Sequence, residues 1–78
     1  MTPQLQIIGE IIDERKAQDK DWGPVEEGRE IETMPQVLME EVGEVARAIL
    51  EHDPIQQREE LIEVAAVAVK WIEWLDLQ

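Results

Sequence analysis

From Asp53 to Asp76 the chain is apolar around most of a helix's circumference, and this segment restricts the fold more than any other. At about 100° per residue, Leu61, Ala65, Ala68, Ile72 and Leu75 form one stripe. Val64, Val67, Trp71 and Trp74 form a second beside it, leaving a narrow wet strip of Glu59, Glu63, Lys70 and Glu73. Asp53 is the expected cap, Pro54 suits the first turn and Gln56 completes a capping box. A helix this apolar needs neighbours on several sides. Two short helices from the same chain cannot cover it. The segment is therefore expected to meet a second copy of the protein, with Val67, Trp71 and Trp74 at or near the contact.

The rest of the sequence supplies those two helices. The first is expected from about Thr2 to Lys20, with Thr2 as cap and Pro3 at the first helical position. Leu5, Ile8 and Ile12, flanked by Ile7 and Ile11, make its apolar stripe, and Glu10, Asp13, Glu14 and Lys16 its wet side. Gly23-Pro24 ends the pattern, and Trp22 to Glu32 reads as a connecting loop of roughly ten residues. The second helix begins near Pro35, capped by Thr33 with Gln36 closing a box. Leu38, Val42, Val45 and Ile49 then follow at the spacing of a buried stripe. No strand signal and no repeat appears. The expected fold is all-α: one domain over 1–78, three helices completing a four-helix-type bundle by homo-oligomerisation.

Composition narrows the partners. The formal charge of −12 would repel DNA or RNA, so no nucleic-acid partner is expected. With 44% hydrophobic residues and three tryptophans, the charge does not mean disorder. The absence of cysteine excludes disulfides and thiolate metal sites and is compatible with a reducing cytoplasm. No secretory signal is visible, and the longest apolar run, Val64 to Val69, is too short to span a bilayer. A cytoplasmic protein without a membrane partner is expected.

Two acidic clusters carry the chemistry. Glu40-Glu41-Val42-Gly43-Glu44 lies on the second helix and Glu60-Leu61-Ile62-Glu63 on the third, with 15 residues between Glu44 and Glu60. Carboxylates gathered from two neighbouring helices repel unless a cation sits between them. A hard divalent ion, Mg²⁺ or Mn²⁺, suits oxygen ligands and bridges carboxylates to phosphates. Glu41 and Glu44 are neighbours on one helical face. Glu60 interrupts the row of Val64, Val67, Trp71 and Trp74, so it is expected partly buried, and either protonated or paired with a cation. Gly43, unfavourable in mid-helix, points to the close approach of a neighbouring helix. Acidic pairs on helices also form ordinary solvated faces. Spacing alone leaves both readings open.

The residues resemble a known family. Gln18-Asp19-Lys20-Asp21-Trp22-Gly23, a proline before the second helix, the run EE-V-G-E-V-A and the run E-L-I-E-V-A-A-V-A are similar to the MazG-like nucleoside triphosphate pyrophosphohydrolases, all-α proteins related to dimeric dUTPases. The resemblance covers nearly the whole chain, from the first helix to Trp74. The family signature is EExxE followed by ExxD. Glu40, Glu41 and Glu44 match the first half and Glu60 the start of the second, while Glu63 stands where the family usually has aspartate. The resemblance implies Mg²⁺-dependent hydrolysis of an NTP or dNTP to the monophosphate and pyrophosphate, with Mn²⁺ as an alternative ion. It implies Glu41, Glu44, Glu60 and Glu63 as metal ligands, and Glu40 and Glu41 as candidates for the catalytic role. Trp22 falls where the family has an aromatic near the base; it either stacks on a nucleobase or plugs the end of the bundle. Arg15 and Lys20 are candidate phosphate contacts or ordinary surface ion-pair partners. A helical module that binds or senses nucleotides without efficient hydrolysis is the alternative function.

Overall fold

The computed structural model describes residues 2–25 and 33–78 and shows three helices, with no strand among the described residues. They are α1 (Pro3–Trp22), α2 (Met34–Leu50) and α3 (Pro54–Asp76). Most of the connection expected between Trp22 and Glu32 lies outside the described residues, and Trp22 itself is the last residue of α1. No described helix is long and apolar enough to cross a membrane.

The helix starts follow local chemistry. The Thr2 hydroxyl accepts from the Leu5 amide at 3.1 Å, and the Asp53 carboxylate from the Gln56 amide at 3.0 Å. The two expected capping boxes do not close as drawn. Thr33 precedes α2 with helical backbone angles and no side-chain cap bond, and the Gln56 side chain reaches forward to Glu60 instead of back to Asp53. Gly23 ends α1 at φ 85°, a left-handed value that a side chain would oppose. His52 ends α2 at φ 54°, and the Asp53 amide behind it donates to the Ala48 carbonyl at 2.9 Å. That pair of features forms a helix-terminating loop of the kind glycine usually supplies.

α3 is the central element: α2 packs along it, α1 packs along another side, and α1 and α2 barely meet. The core is small: Met34, Val37 and Ala48 from α2 against Ala66 and Val67 from α3. Of the α3 row Val64, Val67, Trp71 and Trp74, Val67 is buried and the other three are half-buried. Val67, expected at a subunit contact, belongs to this internal core. Leu61, Ile72 and Leu75 of the other stripe remain exposed.

Two rotations differ from the sequence pattern. Lys70, assigned to the wet strip of α3, is 1% exposed. Its ammonium donates to the Gly23 carbonyl at 3.1 Å, lies 3.8 Å from Asp19 and stands 5.7 Å from the centre of the Trp22 ring. The end of α1 supplies enough polar contacts to hold a buried cation. The second difference is α1, which turns a polar face to α3. Arg15 and Gln18 are its buried residues, while Leu5, Ile7, Ile8 and Ile12 are exposed. Arg15 forks onto Glu73 of α3 at 2.9 and 3.0 Å and also pairs with Asp19. This charge-assisted clamp sets the rotation of α1, and the isoleucine stripe is left facing outward.

Candidate metal centre

Glu41 sits in the packed row of α2, in line with Val37, Val45 and Ala48, so the helix carries a carboxylate where a core side chain would stand. Glu60 does the same in α3 and is 8% exposed, as its place in the apolar row predicts. The two helices face each other through these rows. Glu41, Glu60 and Glu63 each offer an oxygen, and the three atoms lie within 4.8 Å of one another.

The Gln56 amide donates to Oε1 of Glu60 at 2.7 Å, one turn away along α3. This contact holds the Glu60 carboxylate in place and leaves its second oxygen for another partner. Oε2 of Glu60 and Oε2 of Glu41 are both buried without a hydrogen-bond partner. An unpaired buried carboxylate oxygen is costly unless the group is protonated or meets a cation. All-oxygen donors from carboxylates suit Mg²⁺ or Mn²⁺ and do not suit soft ions. The residues present therefore fit the ion implied by the sequence.

Protonation in the absence of a cation follows the same logic. Glu63 is pushed up to about 8, first by its hydrogen bond with Glu41, which only a protonated Glu63 can donate, and then by burial and by Glu60. Burial raises Glu41 as well, with the charges of Glu60 and Glu44 adding to it. On α1, Glu14 is raised by burial and then by Glu63, Asp21 and Glu60.

The remaining candidates fall around this trio. Glu44 is exposed one turn along α2; its charge reaches Glu41, but it lines a separate cleft with Arg47, Glu51 and Gln56. Glu40 is exposed. Trp22 is half-buried at the end of α1 against Lys70, and Lys20 is exposed in the same last turn. Arg15, ten residues along α3 from Glu63 through its partner Glu73, is committed to the buried clamp, roughly 15 Å along the helix axis. Among the described residues a Cβ on Gly43 would meet nothing within 4 Å, so neither α1 nor α3 approaches it closely.

Glu14 and Gln56 are the two residues that sequence reasoning missed. The sequence pattern assigns Gln56 to a capping box, although its four-residue spacing to Glu60 is visible in the chain. The same pattern puts Glu14 on the wet side of α1. Its four-residue spacing to Gln18, and from there to Trp22, marks the face that turns inward. In comparisons with known proteins, no family model, no curated protein and no solved structure matches this chain.

Proposed function

We propose that this protein is a Mg²⁺-dependent nucleoside triphosphate pyrophosphohydrolase, converting an NTP or dNTP to the monophosphate and pyrophosphate. One observation carries the reading: two facing helices each bury a carboxylate with an unpartnered oxygen, and Glu63 joins them within 4.8 Å. Three carboxylates brought this close repel unless a proton or a cation sits between them, and a purely structural packing gains nothing from gathering them. The signature spacing shared with MazG-like proteins supports the same conclusion.

Glu41, Glu60 and Glu63 would hold the ion, with Glu44 as a further ligand if its side chain swings inward. When bound, the ion offsets the charge of the triphosphate and lowers the pKa of a coordinated water. In the overall reaction water adds its oxygen to phosphorus, the phosphoanhydride bond breaks and pyrophosphate leaves with the bridging oxygen. A nearby carboxylate takes the proton, with Glu40 and Glu14 as candidates. Gln56 keeps Glu60 oriented throughout. Trp22 lies eight residues from Glu14, roughly 12 Å along α1. A nucleotide with its phosphates at the carboxylates and its base at Trp22 would run along this helix.

Self-association belongs to this proposal. α1 exposes Ile8 and Ile12, α3 exposes Val69 and Ile72, and the α1 isoleucines and Val69 line one groove of about 330 Å³. A second copy laid on that face would complete a helical bundle. The second reading, a nucleotide-binding module with weak chemistry, draws on one observation: Glu44 stands outside the trio.

The deciding experiment measures pyrophosphate release from a panel of NTPs and dNTPs with Mg²⁺, for the wild type and Glu60→Gln. The enzyme reading expects release by the wild type and its loss, with loss of Mg²⁺ binding, in the variant. The variant should fold at least as stably, because a buried charge has been removed. Stabilisation by Mg²⁺ plus a non-hydrolysable NTP without any release would establish the binding module instead.

A further inference from the structure

Glu63 has a second environment besides the trio. It also lines a cleft of about 390 Å³ between α1 and α3, together with Glu10, Glu14, Glu59 and Arg58. On α3, residues 58, 59, 62 and 63 share one side, while Glu60 turns inward toward α2. The cleft is thus the outer side of the wall whose inner side carries the candidate metal ligands.

Among the residues lining this cleft, Arg58 is the one cation. The other described basic residues are placed elsewhere: Lys16 lines the separate groove with Ile8 and Val69, and Lys20 is exposed in the last turn of α1. Arg15 is locked in its clamp, Lys70 is buried beneath Trp22, and Arg47 pairs with Glu51 on α2. Arg58 reaches across the cleft and forks onto the carboxylate of Glu10 at 2.6 and 2.7 Å. Both partners are substantially exposed, so the pair contributes little to stability and exchanges readily with another anion. A phosphate offers the same two-oxygen geometry with more charge, and guanidinium matches it in bidentate fashion. Position agrees with chemistry. Arg58 precedes Glu60 by two residues and Glu63 by five, about 3 and 7.5 Å along the α3 axis.

We propose that Arg58 grips the phosphate chain of the substrate, and that Glu10 holds its guanidinium in place until the phosphates arrive. This rests on the pyrophosphohydrolase reading. The carboxylates repel an anionic substrate, and Arg58 is the fixed positive charge that offsets this repulsion at the cleft. The ligand class it recognises is the polyphosphate portion, whatever the base. Glu10 is a placeholder, and the contact positions substrate without taking part in bond making.

The test compares the wild type, Arg58→Ala, Arg58→Lys and Glu10→Gln in two assays: binding of inorganic tripolyphosphate to the Mg²⁺-loaded protein, and KM and kcat for the best NTP. The expected result is a tripolyphosphate Kd and a KM raised about tenfold in Arg58→Ala, partly restored in Arg58→Lys, with Mg²⁺ binding unchanged. Glu10→Gln breaks the same ion pair but leaves the guanidinium available, so its Kd should be equal to or lower than that of the wild type. If Arg58 only ties α1 to α3, Glu10→Gln and Arg58→Ala will behave alike, which overturns the proposal. An unchanged Kd in Arg58→Ala also overturns it while leaving the enzyme reading standing. Failure of the wild type to bind Mg²⁺ and tripolyphosphate overturns that reading, and the role of Arg58 with it.

Discussion

Glu63 ties the chemistry of this protein to pH. Its folded-state value of about 8 lies above the ordinary 4.5, so the folded state holds a proton that the unfolded chain has released. The stability from that proton is fully present below 4.5 and is lost as pH rises through about 8. Glu41 and Glu14, both raised, act in the same direction, whereas Glu10, lowered by Arg58, acts oppositely on acidification. In a chelator the melting temperature should therefore fall between pH 5 and pH 8, and Mg²⁺ should remove most of that fall. Melting curves at several pH values, with EDTA and with Mg²⁺, check this; a flat profile in EDTA would mean the carboxylates are uncoupled. Glu63 is also one methylene longer than the aspartate usual at the matching position of the MazG-like proteins that the sequence resembles. Mg²⁺ is strict about octahedral geometry. Mn²⁺, slightly larger, should tolerate the longer side chain better, so Glu63→Asp should lower the Mn²⁺/Mg²⁺ activity ratio. An unchanged ratio would remove Glu63 from the ligand set.

At the scale of the helix, ends are set locally and rotations are not. His52 occupies a left-handed conformation at the end of α2 that costs an L-residue free energy. His52→Gly is expected to raise stability by roughly 0.5–1 kcal/mol, read from urea unfolding, because glycine accepts that geometry without strain. No loss of metal binding should accompany it, since His52 lies outside the carboxylate trio. The three helices were legible from Thr2, Pro3, Gly23, Asp53 and Pro54, because capping and turn chemistry act within a few residues. The buried position of Glu60 was legible too, since it breaks an apolar row. The inward face of α1 was not. Its isoleucines form the better apolar stripe, yet Arg15, on the same side of the helix as Ile8, bonds to Glu73 of α3 while Ile8 and Ile12 stay exposed at the rim of that contact. An ion pair between residues 58 positions apart leaves no periodic trace in the sequence.

For the molecule as a whole, the balance is between a small internal core and a broad apolar exterior. Among the described residues five apolar side chains are buried, whereas Leu5, Ile8, Ile12, Ile72 and Leu75 are exposed. A contiguous exposed apolar face on a small domain marks an interaction surface. In the proposed assembly, introducing charge there should separate the copies. Ile12→Glu combined with Ile72→Glu is expected to shift the protein toward monomer and to lower its melting temperature, because each monomer would lose the contact that completes its bundle. Light scattering at micromolar concentration checks the first effect. A wild type that is already a stable folded monomer of 9.0 kDa would contradict the assembly proposed here.

Helix number, helix ends and the carriage of acidic clusters on the second and third helices could all be read from the chain, because each depends on residues within one or two turns of each other. Which carboxylates meet could not. The 4.8 Å grouping selects Glu41, Glu60 and Glu63, leaves Glu44 outside and brings Glu14 of α1 within their electrostatic reach. That selection depends on how far α2 and α1 are rotated about their axes against α3. Rotation is set by side chains distant in sequence, the buried apolar residues of α2 and α3 on one side and Arg15 against Glu73 on the other, so only the packed structure decides it.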